Sequence, residues 1–350
     1  MPDFVITTCQ IGAESALKAE AARDWPELRF AYSRPGFLTF KLLDSKRIGD
    51  ECDFGLAFAR ATGFSLGKAA GATIEERAKD VWRLAGDRPI RRLHVWRRDL
   101  VGPDFRGKVV EPPPSIAEIE SAILTAADRG DAGLRDPTRP GDLVLDCVVV
   151  EPAERWIGWH RVRSVTSCWP GGRFDVPLPP DAISRAWLKM EEALVWSGLP
   201  LEPGDLCAEI GSAPGGASQA LLGHGVHVIG IDPADMDSRI LAMPGFAHWK
   251  MRGADVRRRE FRKVRWLFAD INVAPSYTLD TVEAIVTHAD VRVEGVLLTL
   301  KLLDWSLAAE IPAYLERVRS WGFGRVVARQ LHHNRQEICV AAQRGRRSRR

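Results

Sequence analysis

The chain has 350 residues, of which 45% are hydrophobic and 27% charged, a balance typical of folded proteins with two or three domains. It contains no apolar run long enough to span a bilayer, and its start, MPDFVITTCQ, lacks the basic region and apolar core of a signal peptide. The six cysteines include no CxxC pair, which argues against a zinc site or a disulfide scaffold and favours the reducing cytoplasm.

The basic balance of the chain comes from its last seven residues. The formal net charge is +3, but RGRRSRR (344–350) contributes five positive charges, so the remainder carries −2. Such a tail is expected to be disordered and could attract phosphate without specificity. A solvated terminus without a role fits the same composition.

Residues 1–170 predict a mixed α+β region. Strands are expected at DFVITTC, GFLTFKLL, LHVWRR, DLVLDCVVV and RWIGWHRV, and helices at ESALKAEAARDW and SIAEIESAILTAAD. Two Pro/Gly-rich stretches interrupt the chain. Residues 102–115 are expected to form a long loop or a linker, and residues 169–181 a domain boundary.

One predicted strand of this region interleaves basic and aromatic side chains. The residues concerned are Arg91, Arg92, His94, Trp96, Arg97 and Arg98. Such a strand could contact RNA, because cations attract phosphate and aromatic rings stack on bases. A strand with one solvated face explains the pattern almost as well, and both interpretations stay open.

After residue 181 strands and helices alternate regularly. A helix at SRAWLKMEEALVWSG (184–198) precedes strands at LCAEIG, VHVIGID, FAHWKM, VRWLFADI and GVLLTLKLLDW. Further helices are expected at GGASQALLGHG, near 279–290 and at EIPAYLERVRSWGF, and the short HHNRQ connection predicts an antiparallel hairpin of GRVVARQL and EICVAAQ. This pattern predicts an α/β fold with a doubly wound, Rossmann-like parallel sheet.

The stretch EIGSAPGGASQ (209–219) lies where such a fold binds its cofactor, after the first strand and at the start of a helix. Gly211 can form the tight turn, and Gly215 and Gly216 can let the backbone approach a ligand. Asp232 ends the next strand, where a carboxylate can bind ribose hydroxyls. The turn is neither GxGxxG nor a P-loop, which favours a nucleoside without phosphate, and S-adenosylmethionine is the obvious candidate.

The run GVLLTLKLLDW (295–305) predicts a strand buried on both faces, yet it contains Lys301. Burying an ammonium group without partners costs on the order of several kcal/mol, so Lys301 needs a carboxylate partner or a lowered pKa. Because ligands bind at the carboxyl ends of strands in this fold, Asp270 and Lys301 are expected beside the glycine turn. Lys189 and Glu337 are further candidates, although each alone could be an ordinary surface or hairpin residue.

Six stretches together resemble the FtsJ-type ribose 2′-O-methyltransferases. They are SRAWLKMEEAL, EIGSAPGGASQ, GID, FADI, LTLKLL and RQLHHNRQEICV. The resemblance covers residues 180–343 and is strongest to the RlmM family, which acts on bacterial large-subunit rRNA as a cytidine 2′-O-methyltransferase. It implies a Rossmann-like, S-adenosylmethionine-dependent methyltransferase sheet, preceded by smaller α+β domains of the ferredoxin-like and THUMP-like kinds.

The domains implied by this resemblance follow one another along the chain. They are a ferredoxin-like module at 1–65, a THUMP-like RNA-binding domain at 66–170, a linker at 171–183, the methyltransferase domain at 184–343 and the basic tail at 344–350. The implied partner is RNA, either 23S rRNA or a ribosomal precursor. No membrane and no metal is called for, and nothing indicates the oligomeric state.

By the same resemblance, Lys189, Asp270, Lys301 and Glu337 form a catalytic tetrad. Lys301 would be the general base that takes the proton of a ribose 2′-hydroxyl, which requires a neutral amine. The residues expected to hold the cofactor are Ser184, Gly211, Ala213, Pro214, Gly215, Gly216, Asp232, Asp255 and Asp270.

Three alternatives stay open. The same chemistry could act on tRNA or on another rRNA site, or the chain could be a non-catalytic RNA-binding relative. A nicotinamide-dependent oxidoreductase on the same fold is disfavoured, because the GxGxxG motif is missing.

Overall fold

The computed structural model divides the chain into two compact units, Met1–Phe174 and Asp175–Arg350. It describes residues 3–44, 48–49, 52–99, 115–127 and 133–345. The loop predicted at 102–115 lies outside the described residues except for Ser115. The arginine-rich tail lies outside them from residue 346 onward.

The first unit is built on one seven-stranded sheet in the order β2-β3-β1-β4-β7-β6-β5. Its strands are β1 (Phe4–Thr8), β2 (Leu28–Arg34), β3 (Phe37–Leu42), β4 (Ala61–Lys68), β5 (Arg92–Arg97), β6 (Leu143–Glu151) and β7 (Glu154–Arg161). Its helices are α1 (Glu14–Asp24), α2 (Ile74–Ala85) and α3 (Ile116–Thr125). Among the described strands, β5 and β6 pair in parallel and the other neighbours are antiparallel.

Three elements of this unit have no counterpart among the predicted ones: β2, β4 and α2. Strand β2 lies at the sheet edge with most residues exposed or half-buried, so its apolar pattern is weak. Strand β4 contains Gly63 and Gly67, which lower β propensity. Helix α2 does carry a sequence signal, because the Thr73 side chain caps its start by accepting from the Glu76 amide.

The sheet contains strands from both modules expected in this half of the chain. Strands β1–β3 belong to the range expected to be ferredoxin-like, and β5–β7 to the range expected to be THUMP-like. Strand β4 runs across residue 65, where one module was expected to give way to the other. The assignment of these residues to the two named modules stays a prediction.

The basic and aromatic strand β5 directs much of its chemistry inward. His94, Trp96 and Arg98 are buried. The Arg98 guanidinium donates to the carbonyl oxygen of Val150 at 2.6 Å and to a carboxylate oxygen of Glu151 at 2.8 Å. Because these three side chains are buried, the structure does not support an RNA-binding face made of the whole strand.

The second unit contains a seven-stranded sheet in the order β10-β9-β8-β11-β12-β14-β13. Its strands are β8 (Leu206–Ile210), β9 (His227–Ile231), β10 (Phe246–Trp249), β11 (Trp266–Ala269), β12 (Gly295–Lys301), β13 (Arg325–Arg329) and β14 (Glu337–Gln343). Its helices are α4 (Ala186–Ser197), α5 (Gly216–Gly223), α6 (Ser238–Leu241), α7 (Pro275–Val286) and α8 (Ile311–Ser320).

Strands β8 to β12 are parallel, and β14 runs antiparallel to both β12 and β13. On one face of the sheet, strand residues such as Phe268 and Leu297 pack against α4 and α5. The residues next to them in the strands, such as Leu267 and Leu298, point to the other face and are buried as well. Because side chains alternate between faces, the sheet is covered on both sides. The Rossmann-like α/β fold and the closing hairpin were predicted correctly.

Helix α7 lies four residues earlier than expected, because it begins at Pro275, whose fixed φ suits the first helical turn. Within the described ranges, no helix has both the length and the apolar character of a membrane span.

Candidate active site

Four of the predicted site residues lie at the carboxyl ends of neighbouring parallel strands. Gly211 follows β8, Asp232 follows β9 and Asp270 follows β11, while Lys301 is the last residue of β12. Since parallel strands place their carboxyl ends at one edge of a sheet, these four residues share that edge.

Four charged side chains form a closed ring at this edge. Lys301 Nζ contacts Oδ1 of Asp270 and Oε2 of Glu337 directly. Lys189 Nζ lies 3.0 Å from Oδ2 of Asp270 and 2.6 Å from Oε1 of Glu337. Each carboxylate is shared by both ammonium groups, so cations and anions alternate and the formal charge of the ring is zero.

The sheet register explains how distant residues meet here. Lys301 and Glu337 are directly opposite each other in the antiparallel pairing of β12 and β14. The Asp270 amide donates to the Ile210 carbonyl oxygen at 3.0 Å, which holds Asp270 against the turn after β8. The Asn334 side-chain amide donates to Oε1 of Glu337 at 3.1 Å and orients that carboxylate.

Lys189 completes the ring from helix α4. Its side chain is 21% exposed and contacts both carboxylates. Lys189 is therefore not the ordinary surface residue that the sequence left open.

Each charged group of the ring is stabilised in its charged form by its oppositely charged neighbours. Burial alone would raise the pKa of Asp270, but the ammonium groups of Lys189 and Lys301 outweigh it and hold that pKa below its ordinary value. The same balance keeps the pKa of Glu337 below its usual range. Burial lowers the pKa of Lys189, yet the two carboxylates raise it above its ordinary value overall. These three groups are therefore charged at neutral pH.

The glycine turn after β8 is shaped by close packing within the chain. Gly211 has φ +85°, and a Cβ there would lie 2.5 Å from the Asp270 carbonyl oxygen. A Cβ on Gly215 would lie 2.8 Å from the Ile240 side chain, and one on Gly216 would lie 2.1 Å from Ser184 Oγ. The lack of a side chain at Gly215 and Gly216 therefore leaves room for Ile240 and Ser184. From the sequence, these glycines were expected instead to let a ligand approach the backbone.

A cavity of about 390 Å³ opens beside this turn and Asp232. Its apolar lining includes Ile231 and Ile271, which suits the faces of a purine ring. The Asp232 carboxylate accepts from the Ala213 amide at 3.2 Å and the Ala234 amide at 2.8 Å, and each oxygen keeps a lone pair for a further donor. A carboxylate fixed in this way at an apolar cavity fits a ribose with two hydroxyl groups.

Of the predicted cofactor residues, Gly211 and Asp232 line this cavity, and the others lie outside its lining. Ala213 and Pro214, joined by a cis peptide bond, continue the turn, and Ser184 packs against its far end at Gly216. Asp255 is exposed at the end of the 3-10 turn Gly253–Asp255. Gly253 and Ala254 of that turn line the cavity directly.

Two further polar residues of this edge were not among the candidates. A small cavity of about 30 Å³, room for about one water, is lined by Glu209 and Asn334 together with Lys189 and Asp270. Burial raises the pKa of Glu209 to about 8, although the Ser218 hydroxyl, which donates to it, opposes the shift. The sequence signal was an acid inside the buried strand LCAEI, the same anomaly that singles out Lys301.

Tyr277 and Arg252 also line the larger cavity. No sequence pattern marks either one. Tyr277 precedes the residues predicted as helical, and Arg252 lies in a stretch for which no element is predicted.

Residues 182–308 match the family model described as FtsJ-like methyltransferase. The chain carries an FtsJ-like methyltransferase domain. The FtsJ-like domain includes the glycine turn, Asp232 and three of the four ring residues, whereas Glu337 follows the matched range. Its cofactor is S-adenosylmethionine, and the cavity beside Asp232 fits the nucleoside part of that molecule.

Curated relatives share the name Ribosomal RNA large subunit methyltransferase M. The protein from Azotobacter vinelandii is 31% identical over 185 residues, which is 49% of this chain and 51% of that protein. The one from Alkalilimnicola ehrlichii is 33% identical over 189 residues, 50% of this chain and 49% of that protein. The chain thus spans about half the length of the curated relatives it matches.

Solved structures resemble this chain only loosely. The fibrillarin pre-rRNA processing protein from Methanococcus jannaschii aligns with a TM-score of 0.37 and 11% identity over 59% of this chain and 85% of that chain. A likeness of that size supports no conclusion about the function of the FtsJ-like domain.

Replacing Glu337 by Gln should destabilise the second unit in a pH-dependent way. At pH 7 the two ammonium groups would share one carboxylate, and the free energy of unfolding should fall by about 1–3 kcal/mol. The folded-state pKa of Glu337 lies below its unfolded value, so its stabilisation is complete above about pH 4.3 and is lost as the pH falls through the lower folded value.

Urea unfolding of the wild-type protein and the variant at pH 7 and pH 3 measures this effect. The difference between them should shrink at pH 3. Glu316→Gln, at a side chain 77% exposed on α8, serves as the control and should change little at either pH. An equal difference at both pH values would contradict the role assigned to the ring.

Proposed function

We propose that this protein transfers the methyl group of S-adenosylmethionine to a ribose 2′-hydroxyl of RNA, with large-subunit (23S) rRNA as the substrate. The observation that carries the proposal is the ring of Lys189, Asp270, Lys301 and Glu337 beside the cofactor turn of an FtsJ-like methyltransferase domain. The name shared by the curated relatives supports rRNA as the substrate class. An rRNA substrate implies action in the cytoplasm.

The chemistry asks for a base at the acceptor hydroxyl. When bound, the cofactor supplies a methyl group on a positively charged sulfur. A 2′-hydroxyl is a weak nucleophile, so it must lose its proton as the new oxygen–carbon bond forms. Lys301 is the proposed acceptor of that proton: its Nζ lies between Asp270 and Glu337 at the open edge of the sheet.

The ring can tune Lys301 for this role. To act as a base the amine must be neutral, and two cations raise the cost of its charge: Lys189 within the ring and the sulfonium of the cofactor. The carboxylates of Asp270 and Glu337 oppose that effect and hold the amine in position. After transfer they stabilise the ammonium that results, so the electrostatic cost of accepting the proton is small.

For the cofactor, we propose contacts with the turn at Gly211 and Ala213–Gly216, with Ser184 behind it, with Asp232 on the ribose and with Asp255 near the adenine. Asp270 would lie between cofactor and acceptor. The Asp232 carboxylate and the adjoining cavity are the features that support this arrangement.

For the first unit, we propose RNA binding by the ferredoxin-like and THUMP-like modules inferred from the sequence. A cavity of about 390 Å³ supports this, because Arg97 and Arg173 line it. Arg98 and Asp99 line it as well, but the charge of Arg98 is paired with Glu151. Asp99 is bound through both carboxylate oxygens by Arg60, at 2.9 and 2.8 Å. The cationic excess suits a phosphate group.

Replacing Lys301 by Ala should abolish methyl transfer, because the remaining ring groups are poor bases: the pKa of Lys189 is raised, and the pKa values of Asp270 and Glu337 lie below their ordinary range. Lys301→Arg should be inactive as well, since a guanidinium keeps the charge but does not release its proton near neutral pH. Both variants should bind the cofactor nearly as tightly as the wild type. Lys263→Ala, at an exposed lysine of the same unit, is the control and should stay active.

The assay follows tritium from labelled S-adenosylmethionine into rRNA from cells that lack the gene, so that the acceptor site is unmodified. Wild-type activity in Lys301→Ala would remove the assigned base. Transfer by the wild type into tRNA but not into rRNA would keep the chemistry and change the substrate. No transfer to any RNA would favour the non-catalytic alternative.

Replacing Asp232 by Ala should weaken S-adenosylmethionine binding by about 10–100-fold, the range expected for lost hydrogen bonds to a charged group. Asp232→Asn keeps one side-chain oxygen and should lose less. Calorimetry measures both, with Asp290→Ala, at a carboxylate 71% exposed, as the control. Unchanged affinity in Asp232→Ala would show that the ribose is held elsewhere.

Replacing both Arg97 and Arg173 by Ala should weaken RNA binding about 10-fold and lower the slope of log affinity against log salt by about one to two. Affinity for the cofactor should not change. Filter binding over a salt series makes the measurement, and Arg23→Ala on α1 is the control. An unaltered salt slope would exclude this cavity as a phosphate contact.

A further inference from the structure

Three side chains converge on one face of the first unit, within the sheet and not at the cavity lined by arginines. His94 on β5 is the direct register partner of Asp146 on β6. Asp146 is opposite Gly158 on β7, and His160 lies two residues further along the same strand. Since every second residue points to the same side, all three share a face, and their ligand atoms lie within 4.8 Å of one another.

The Nε2 atom of each histidine lies within hydrogen-bonding distance of an oxygen of the protein. His160 Nε2 lies 2.9 Å from the Ser167 carbonyl oxygen, which can only accept, so Nε2 carries the hydrogen. His94 Nε2 lies 2.9 Å from the hydroxyl of Thr138. Both Nδ1 atoms therefore face Asp146. In metal sites, a histidine usually binds the ion through one ring nitrogen while the other ring nitrogen donates to an oxygen of the protein.

Two atoms at the centre lack partners. His94 Nδ1 and Asp146 Oδ1 are buried and make no hydrogen bond with any described residue. They face each other across 4.0 Å, which is too long for a hydrogen bond. The exposed fractions are 3% for His94 and 1% for Asp146, so bulk solvent does not satisfy either atom. An unpaired polar atom in such a position is costly.

A cation between these atoms would satisfy both. Nitrogen and oxygen ligands lie about 2.0–2.2 Å from zinc, so two atoms on one ion lie roughly 3–4 Å apart. The carboxylate packs closely against β4, where a Cβ on Gly63 would lie 3.1 Å from Asp146 Oδ2, so a larger residue at 63 would crowd the three ligands. We propose that His94, Asp146 and His160 bind a divalent transition-metal ion of the zinc class.

The competing arrangement is a buried ion pair. His160 Nδ1 already lies 2.6 Å from Asp146 Oδ2, so a doubly protonated His160 would satisfy that contact without metal. It would still leave His94 Nδ1 and Asp146 Oδ1 unpaired, whereas an ion uses both imidazoles and the carboxylate together. Two imidazoles and a carboxylate are a ligand set that zinc and its neighbours accept.

The proposed ion has a structural task, independent of methyl transfer. His160 holds the segment around Ser167, and His94 holds Thr138, so the ion would tie both segments to the sheet through the two rings. Loss of the ion should loosen the first unit while the ring of the second unit stays intact.

The test is the metal content of the full-length protein, purified after growth with zinc and measured by plasma mass spectrometry. The wild type should hold about one zinc per chain, as a three-ligand site predicts. His94→Gln and His160→Gln should lose most of it. His227→Gln, at an exposed histidine of β9, is the control and should keep it. Wild-type metal content in His94→Gln would overturn the proposal.

A second measurement covers the case in which the variants fold poorly. Wild-type protein stripped with a chelator should have a lower melting temperature, and Zn²⁺ or Co²⁺ should restore it, because an ion that binds only the folded state stabilises that state. The Co²⁺ form should show visible absorption bands of a bound ion. No metal in the wild type and no response to either ion would establish the histidine–carboxylate ion pair instead.

Discussion

The alternation of two ammonium groups and two carboxylates is the interaction on which the proposed chemistry rests. Any one of these charges would be costly at a half-buried position, and together they cancel. Each carboxylate contacts both ammonium groups, so neither Lys301 nor Lys189 depends on a single partner. In the proposed reaction, the ring would hold an amine close to the acceptor without leaving an isolated charge beside the positively charged cofactor.

The reversed strand β14 makes this arrangement possible. A purely parallel sheet would place Glu337, the first residue of its strand, at the opposite edge from Lys301, the last residue of β12. Because β14 runs antiparallel between β12 and β13, its start lies beside the end of β12. The closing hairpin thus adds an acid to an edge that otherwise collects the carboxyl ends of parallel strands.

The sequence predicted the second unit well because its strands are short apolar runs and its helices alternate with them. It also identified Lys301, since a lysine inside GVLLTLKLL contradicts the run around it. The sequence could not show that Lys189 contacts both carboxylates, because taken alone it could have been an ordinary surface residue. In the first unit the edge strand β2 and the glycine-containing β4 carry weak patterns. His94, Asp146 and His160 are separated by up to 66 positions, and only the register of three strands brings them together.

The packing of Gly211 against the main chain at Asp270 has a consequence for the precision of the site. The carbonyl of Asp270 occupies the volume that a side chain at 211 would fill, so the glycine turn after β8 and the loop at Asp270 are in contact through backbone atoms. Their spacing is set by covalent geometry and van der Waals radii, with no rotatable side chain between them. Because no rotamer change can relieve a clash with backbone atoms, any side chain at 211 would push the glycine turn and Asp270 apart.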